Sequence, residues 1–129
     1  MISNKRIAII GLGYVGLPLA TEFAKKYKVV GYDVDVMRIQ ELKKGIDRTK
    51  EVTKKKLLIN NNLIFTNDLN YMKNSDFFIL TVPTPITKNN KPDLSIIKQA
   101  ALTVSKVSDG EIIFILGRDL KTPKSSIQQ

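Results

Sequence analysis

The segment that most restricts this chain runs from Arg6 to Asp33. A short apolar run, Arg6 to Gly11, enters Gly11-x-Gly13-x-x-Gly16, and an apolar pattern of helical period follows at once. That glycine spacing is weak by itself, because it arises often by chance. The context narrows it: a strand-like run precedes the glycines, a helix-like run follows, and Asp33 closes the next strand-like run, "KVVGYD". Each position then has a physical reason. Gly11 permits a tight turn, Gly13 lets the backbone approach a pyrophosphate, and Gly16 lets the helix pack on the sheet. Amides at the helix start, around Tyr14 and Val15, face the phosphates with the helix dipole behind them.

Asp33 lies about 20 residues beyond the turn, where a carboxylate accepts both ribose hydroxyls and repels a 2′-phosphate. This favours NAD over NADP. Arg38 is the nearby cation that would hold a 2′-phosphate, and it keeps NADP open. Without a ligand, the glycines would serve only a tight turn and Asp33 would merely cap a helix.

Beyond the turn, strand-like and helix-like segments alternate. Leu19, Ala20, Phe23, Ala24 and Tyr27 share one face of a helix expected over Tyr14 to Tyr27, with Glu22, Lys25 and Lys26 opposite. Pro18 is tolerable there because it lies near the first turn. Lys28 to Asp33 is a second strand. Val36 to Lys44 is a helix stopped by Gly45, and Thr53 to Ile59 is another. Leu63 to Thr66 reads as a third strand, and Asn67 to Met72 as a helical turn. Ser75 to Pro85 reads as a fourth strand ended by two prolines. Asp93 is placed to cap a helix from Leu94 to Val107, and Glu111 to Leu116 is a fifth strand.

The alternation predicts an α/β fold, a Rossmann-type doubly wound parallel sheet with strand order 3-2-1-4-5. Its ligand crevice lies at the carboxyl ends of strands 1 and 4. "VPTP" (Val82 to Pro85) ends the fourth strand beside that crevice. It is either a rigid terminator, since proline lacks a ladder donor, or a lining element with Thr84 near the cofactor. Residues 1–117 thus form one dinucleotide-binding domain, incomplete after the fifth strand, and 118–129 read as a polar, disordered tail.

Composition removes several function classes. The 129 residues include no cysteine and no histidine. No disulfide or thiolate nucleophile is possible, and the commonest general base and zinc ligand are absent. No metal site is assigned on that ground, and no catalytic residue is assigned in these residues. No apolar run is long enough to span a bilayer, nor is there an adequate signal-peptide core before Gly11, so the chain reads as cytoplasmic. The net charge of +9 and the run Lys54-Lys55-Lys56 invite a nucleic-acid reading. No aromatic residues interleave with the lysines, which favours solvated helix faces. A basic surface still attracts any phosphate-bearing ligand.

The stretches "KRIAIIGLGYVGLPLATEFAKKYKVVGYDVDVMRIQELKKGIDRTKEV", "LIFTNDL", "SDFFILTVPTPI" and "KPDLSIIKQA" resemble one family in order. It is the UDP-glucose/GDP-mannose dehydrogenase family, in its N-terminal NAD-binding domain, over about residues 5–116. "GIDRTKE" (Gly45 to Glu51) is most similar to the branch that oxidises UDP-N-acetylhexosamines for capsule, Vi-type or O-antigen polysaccharides. The resemblance implies an NAD-dependent oxidation of a sugar C6 alcohol to a carboxylate. In such enzymes the aldehyde is trapped by a cysteine, oxidised to a thioester and hydrolysed. It further implies that Gly11, Gly13, Tyr14, Val15 and Gly16 contact the pyrophosphate. Asp33 and Arg38 would hold the adenosine end, and Val82, Pro83 and Thr84 would line the cleft.

The chain also departs from the family. After the fifth strand the family carries a Glu-Ser-Thr segment, whereas here the sequence reads "IIFILGRDLKTPKSSIQQ". The helical dimerisation region and the UDP-sugar domain, with its Cys, Lys and Asn, have no counterpart in these residues. Covalent catalysis needs an activated nucleophile. The expectation is that this chain alone does not complete the oxidation, and that a UDP-sugar partner belongs to a full-length parent enzyme. An apolar fifth strand near the sheet edge implies self-association into a homo-oligomer. The competing readings are a non-catalytic NAD-binding or subunit-pairing module and a basic nucleic-acid binder.

Overall fold

The computed structural model describes residues 4–83, 85–91, 93–107 and 110–115. Thr84, the strand residue Leu116 and the expected tail 118–129 lie outside the described residues. The chain runs β1 (Arg6–Ile10), α1 (Gly16–Phe23), β2 (Lys28–Tyr32), α2 (Val36–Lys43), α3 (Lys54–Ile59) and β3 (Leu63–Thr66). A 3₁₀ turn (Leu69–Met72), β4 (Phe77–Leu80), α4 (Ser95–Ser105) and β5 (Glu111–Phe114) follow. All strand pairs among the described residues are parallel, in the order β3-β2-β1-β4-β5. That is the expected 3-2-1-4-5 arrangement.

A parallel sheet is covered on both faces, so its central strands read as unbroken apolar runs rather than alternating ones. Ile7 and Ile9 of β1 pack on one side with Leu17 and Ala20 of α1 and Ile39 and Leu42 of α2. Ala8 and Ile10 pack on the other side with Phe78, Leu80, Met72 and, from α4, Ile97 and Val104. The register sets Ile10 beside Tyr32 and Leu80, which brings the three central carboxyl ends to one rim.

Most elements are shorter than the periodicity suggests, for identifiable reasons. Just past α1, Lys25 N–H to Glu22 and Lys26 N–H to Phe23 are tighter three-residue bonds that close the helix instead of continuing it. Asp35 caps α2 by accepting from the Arg38 amide at 3.2 Å. The same helix ends in a Schellman motif: Gly45 has φ +84°, its N–H reaches the Leu42 carbonyl, and Ile46 N–H reaches Glu41. At α4 the cap position is Leu94, and Asp93 acts one residue earlier, accepting from Ser95 N–H at 3.0 Å. Pairing of β4 with β1 extends one bond past the strand, Thr81 N–H to Ile10, before Pro83 intervenes.

Candidate dinucleotide site

Where β1 ends, Gly11 takes φ +100° and its N–H donates to the Tyr32 carbonyl at 2.8 Å. That conformation is one that L side chains rarely adopt. A Cβ on Gly16 would collide with the Gly11 carbonyl oxygen and the Thr81 hydroxyl, so the helix can lie on the turn only without a side chain there. Gly13 is the opposite case. A Cβ there would meet no atom within 4 Å, and the residue is exposed. The spaced glycines therefore divide the work: two allow the chain to fold back on itself, and the third leaves room outside.

Asp33 follows β2 directly and is half-buried beside the turn. Its Oδ2 accepts from the Leu12 amide and its Oδ1 from the Asp35 amide, both at 2.9 Å. These two bonds orient the carboxylate while each oxygen keeps a lone pair for a further donor. Gly11 and Asp33 border a cavity of about 380 Å³ that also takes in Met72, Val82, Pro83, Ile96 and Ala100. Val82 is buried and Pro83 exposed on its rim. Tyr32 lines it too, and burial pushes the phenol pKa up, with Asp33 and Asp68 adding to the rise. Tyr14 is exposed and Val15 half-buried at the start of α1, outside the cavity lining.

Arg38 stands apart from the other expected residues. It is buried, at 4% exposure. Its Nε and Nη2 donate to the Leu12 carbonyl at 2.8 and 2.6 Å, and its Nη1 donates to Asp47 Oδ1 at 2.9 Å. The guanidinium thus grips the back of the glycine turn. Burial would raise the Asp47 carboxyl, but bonds from Thr49, from the Val52 and Thr49 amides and from Arg38 outweigh it and hold the pKa at about 2.

Sequence reasoning missed Thr81, Asp47 and the α4 wall. Thr81 Oγ1 donates to the carbonyls of Gly11 at 2.7 Å and Ile10 at 3.2 Å. The only local signal for it was its position just before "VPTP". Asp47 sits in "GIDRTKE", whose spacing by itself names no partner.

The model of the UDP-glucose/GDP-mannose dehydrogenase family, NAD binding domain, matches residues 5–118. The chain belongs to this family. NAD is accordingly its cofactor, and the glycine turn, the carboxylate of Asp33 and the apolar cavity fit such a dinucleotide. Among curated relatives, the chain is 49% identical to protein CapL of Staphylococcus aureus over 112 residues. It is 48% identical to a UDP-N-acetyl-D-glucosamine 6-dehydrogenase of Salmonella typhi over 113 residues. Both alignments take in 87% of this chain but only 26% and 27% of those proteins, so the chain spans about a quarter of their length. A UDP-N-acetylmannosamine dehydrogenase structure from Pyrococcus horikoshii superposes with a TM-score of 0.77 at 37% identity, over 84% of this chain and 28% of that one. Among the described residues no helix is long and apolar enough to cross a membrane, and no cluster of side chains could hold a metal ion.

Proposed function

We propose that this chain is the NAD-binding part of an enzyme that oxidises the C6 alcohol of a UDP-N-acetylhexosamine to a carboxylate. The observation that supports the NAD part of this reading is the glycine turn with its exposed Gly13 backbone, next to the oriented Asp33 carboxylate and the apolar cavity that Gly11 and Asp33 border. The similarity to the Salmonella and Pseudomonas UDP-N-acetyl-D-glucosamine 6-dehydrogenases supports the substrate class.

When bound, NAD accepts a hydride from the substrate carbon. The chain's own residues bind and orient it. By this reading Gly11, Gly13, Tyr14, Val15 and Gly16 contact the pyrophosphate, Asp33 accepts from the ribose hydroxyls, and Val82 and Pro83 line the cleft. Asp33 repels a 2′-phosphate, and the cation that would have welcomed one, Arg38, is turned inward toward Leu12 and Asp47. With no cysteine among its residues, the chain has no thiolate to trap an aldehyde. It works in the cytoplasm by this reading, where NAD is available. Among the described residues β5 is an edge strand with Ile113 and Phe114 exposed, which supports pairing with a second copy or a longer subunit. A concentration-independent monomer in sedimentation would contradict that pairing.

The direct test is ligand-linked stability. At about 100 times its Kd, NAD should stabilise the fold by about 2.7 kcal/mol, and Asp33→Ala should abolish most of that shift. An NAD effect unchanged in Asp33→Ala would remove the site reading. UDP-sugar-dependent NADH formation by the purified 129-residue chain would refute its catalytic incompleteness.

A further inference from the structure

Two successive carbonyls of the glycine turn are gripped from different elements. Thr81, just past β4, holds the Gly11 carbonyl, and Arg38 of α2 holds the Leu12 carbonyl with two donors. A trans peptide unit is planar, with its C=O and N–H pointing opposite ways. Each grip therefore aims the amide that follows. The first sets the Leu12 N–H, which donates to Asp33. The second sets the Gly13 N–H, which has no hydrogen-bond partner among the described residues and belongs to an exposed residue.

Arg38 is itself immobilised. Asp47 accepts from Arg38 Nη1, from the Thr49 amide at 2.9 Å and hydroxyl at 2.6 Å, and from the amides of Glu51 at 2.8 Å and Val52 at 2.9 Å. The side chains of Arg38 and Asp47 are only 5% and 1% exposed. A carboxylate with that many fixed donors cannot swing, so the guanidinium is tied at both ends. We propose that Asp47 is a positioning residue for the pyrophosphate of NAD: acting through Arg38, it locks the Leu12 carbonyl and so aims the Gly13 N–H at the phosphates. This rests on the NAD reading of the turn. It also gives "GIDRTKE" a physical purpose, since the segment is wound around the Asp47 carboxylate.

The test separates the two ends of the cofactor. Adenosine reports the Asp33 end alone, whereas ADP-ribose adds the pyrophosphate. In the 129-residue chain, Asp47→Asn should weaken ADP-ribose about tenfold while leaving adenosine within about twofold, the expected limit for a peptide plane that Asp47 does not hold. In an Arg38→Met background, Asp47→Asn should add nothing further, because both changes release the same carbonyl. Equal losses for both ligands, additive losses in the double variant, or no loss for either would overturn the proposal. Should Asp47→Asn fail to fold, Arg38→Lys keeps the cation but removes the fork on Leu12. It should show the same selective loss, and an equal loss of adenosine would overturn the proposal. If the wild-type chain binds no ADP-ribose, the NAD reading falls with it; if it binds and Asp47→Asn binds equally well, only the positioning role falls.

Discussion

Replacing Gly13 and Gly16 by alanine in turn should separate binding from folding. At Gly16 the new methyl meets the Gly11 carbonyl and the buried Thr81 hydroxyl, and neither is the free end of a flexible side chain. The start of α1 must lift from the sheet. Overpacking of this kind costs about 1–3 kcal/mol, and the helical preference of alanine over glycine returns at most about 1 kcal/mol. A backbone carbonyl is the obstacle, so the upper end of the cost applies and a net loss of about 2 kcal/mol is expected. At Gly13 a methyl meets nothing within 4 Å, and stability should change by no more than about 0.5 kcal/mol. Under the proposed placement of the pyrophosphate the same methyl intrudes on it, so NAD affinity should fall by at least about tenfold, or 1.4 kcal/mol. Urea unfolding gives the first quantity and calorimetric NAD titration the second. A Gly13→Ala variant as destabilised as Gly16→Ala, or one that binds NAD like the wild type, would contradict this division of roles between the two glycines.

Two further outcomes follow from the groups that hold the turn. The Asp47 carboxyl titrates at about 2 in the folded chain against 3.8 ordinarily, so it contributes stability above about pH 4 that is lost as pH falls toward 2. Asp47→Asn has no such titration, and the stability gap between wild type and variant should shrink by about 2 kcal/mol between pH 5 and pH 2; a gap constant across that range in urea unfolding contradicts the buried clasp. Thr81→Val removes the hydroxyl donor to Gly11 at nearly constant volume and should cost about 1–2 kcal/mol. Thr81→Ser, which keeps the donor, should unfold at a higher urea concentration than the valine variant, and the reverse order would deny the hydrogen bond its role.

Much of this molecule was legible before any coordinate. Unbroken apolar runs at β1 and β4, separated by helical periods, announce a parallel sheet because both of its faces must be covered. Strand order then follows from the handedness of the crossovers. Element ends were less legible: residues 24–27 carry helical periodicity, yet the chain tightens there to return toward β2. In the site, Asp33 was readable because its place is set by chain distance from the turn, and it does border both the turn and the cavity.

The order of residues alone was therefore enough for the fold class, the glycine turn and the carboxylate that faces it. The turn and the carboxylate depend on spacing within one βαβ unit, and the fold class on the alternation of such units along the chain. The tertiary structure decided what stands behind the turn. Arg38 meets a carbonyl 26 positions earlier and Thr81 one 70 positions earlier. An arginine near a nucleotide turn reads as a ligand contact until its burial is known. Only the packing of α2 against the turn reveals that this guanidinium is spent on the backbone and on Asp47, because the direction of a long side chain is set by neighbours that no local pattern specifies.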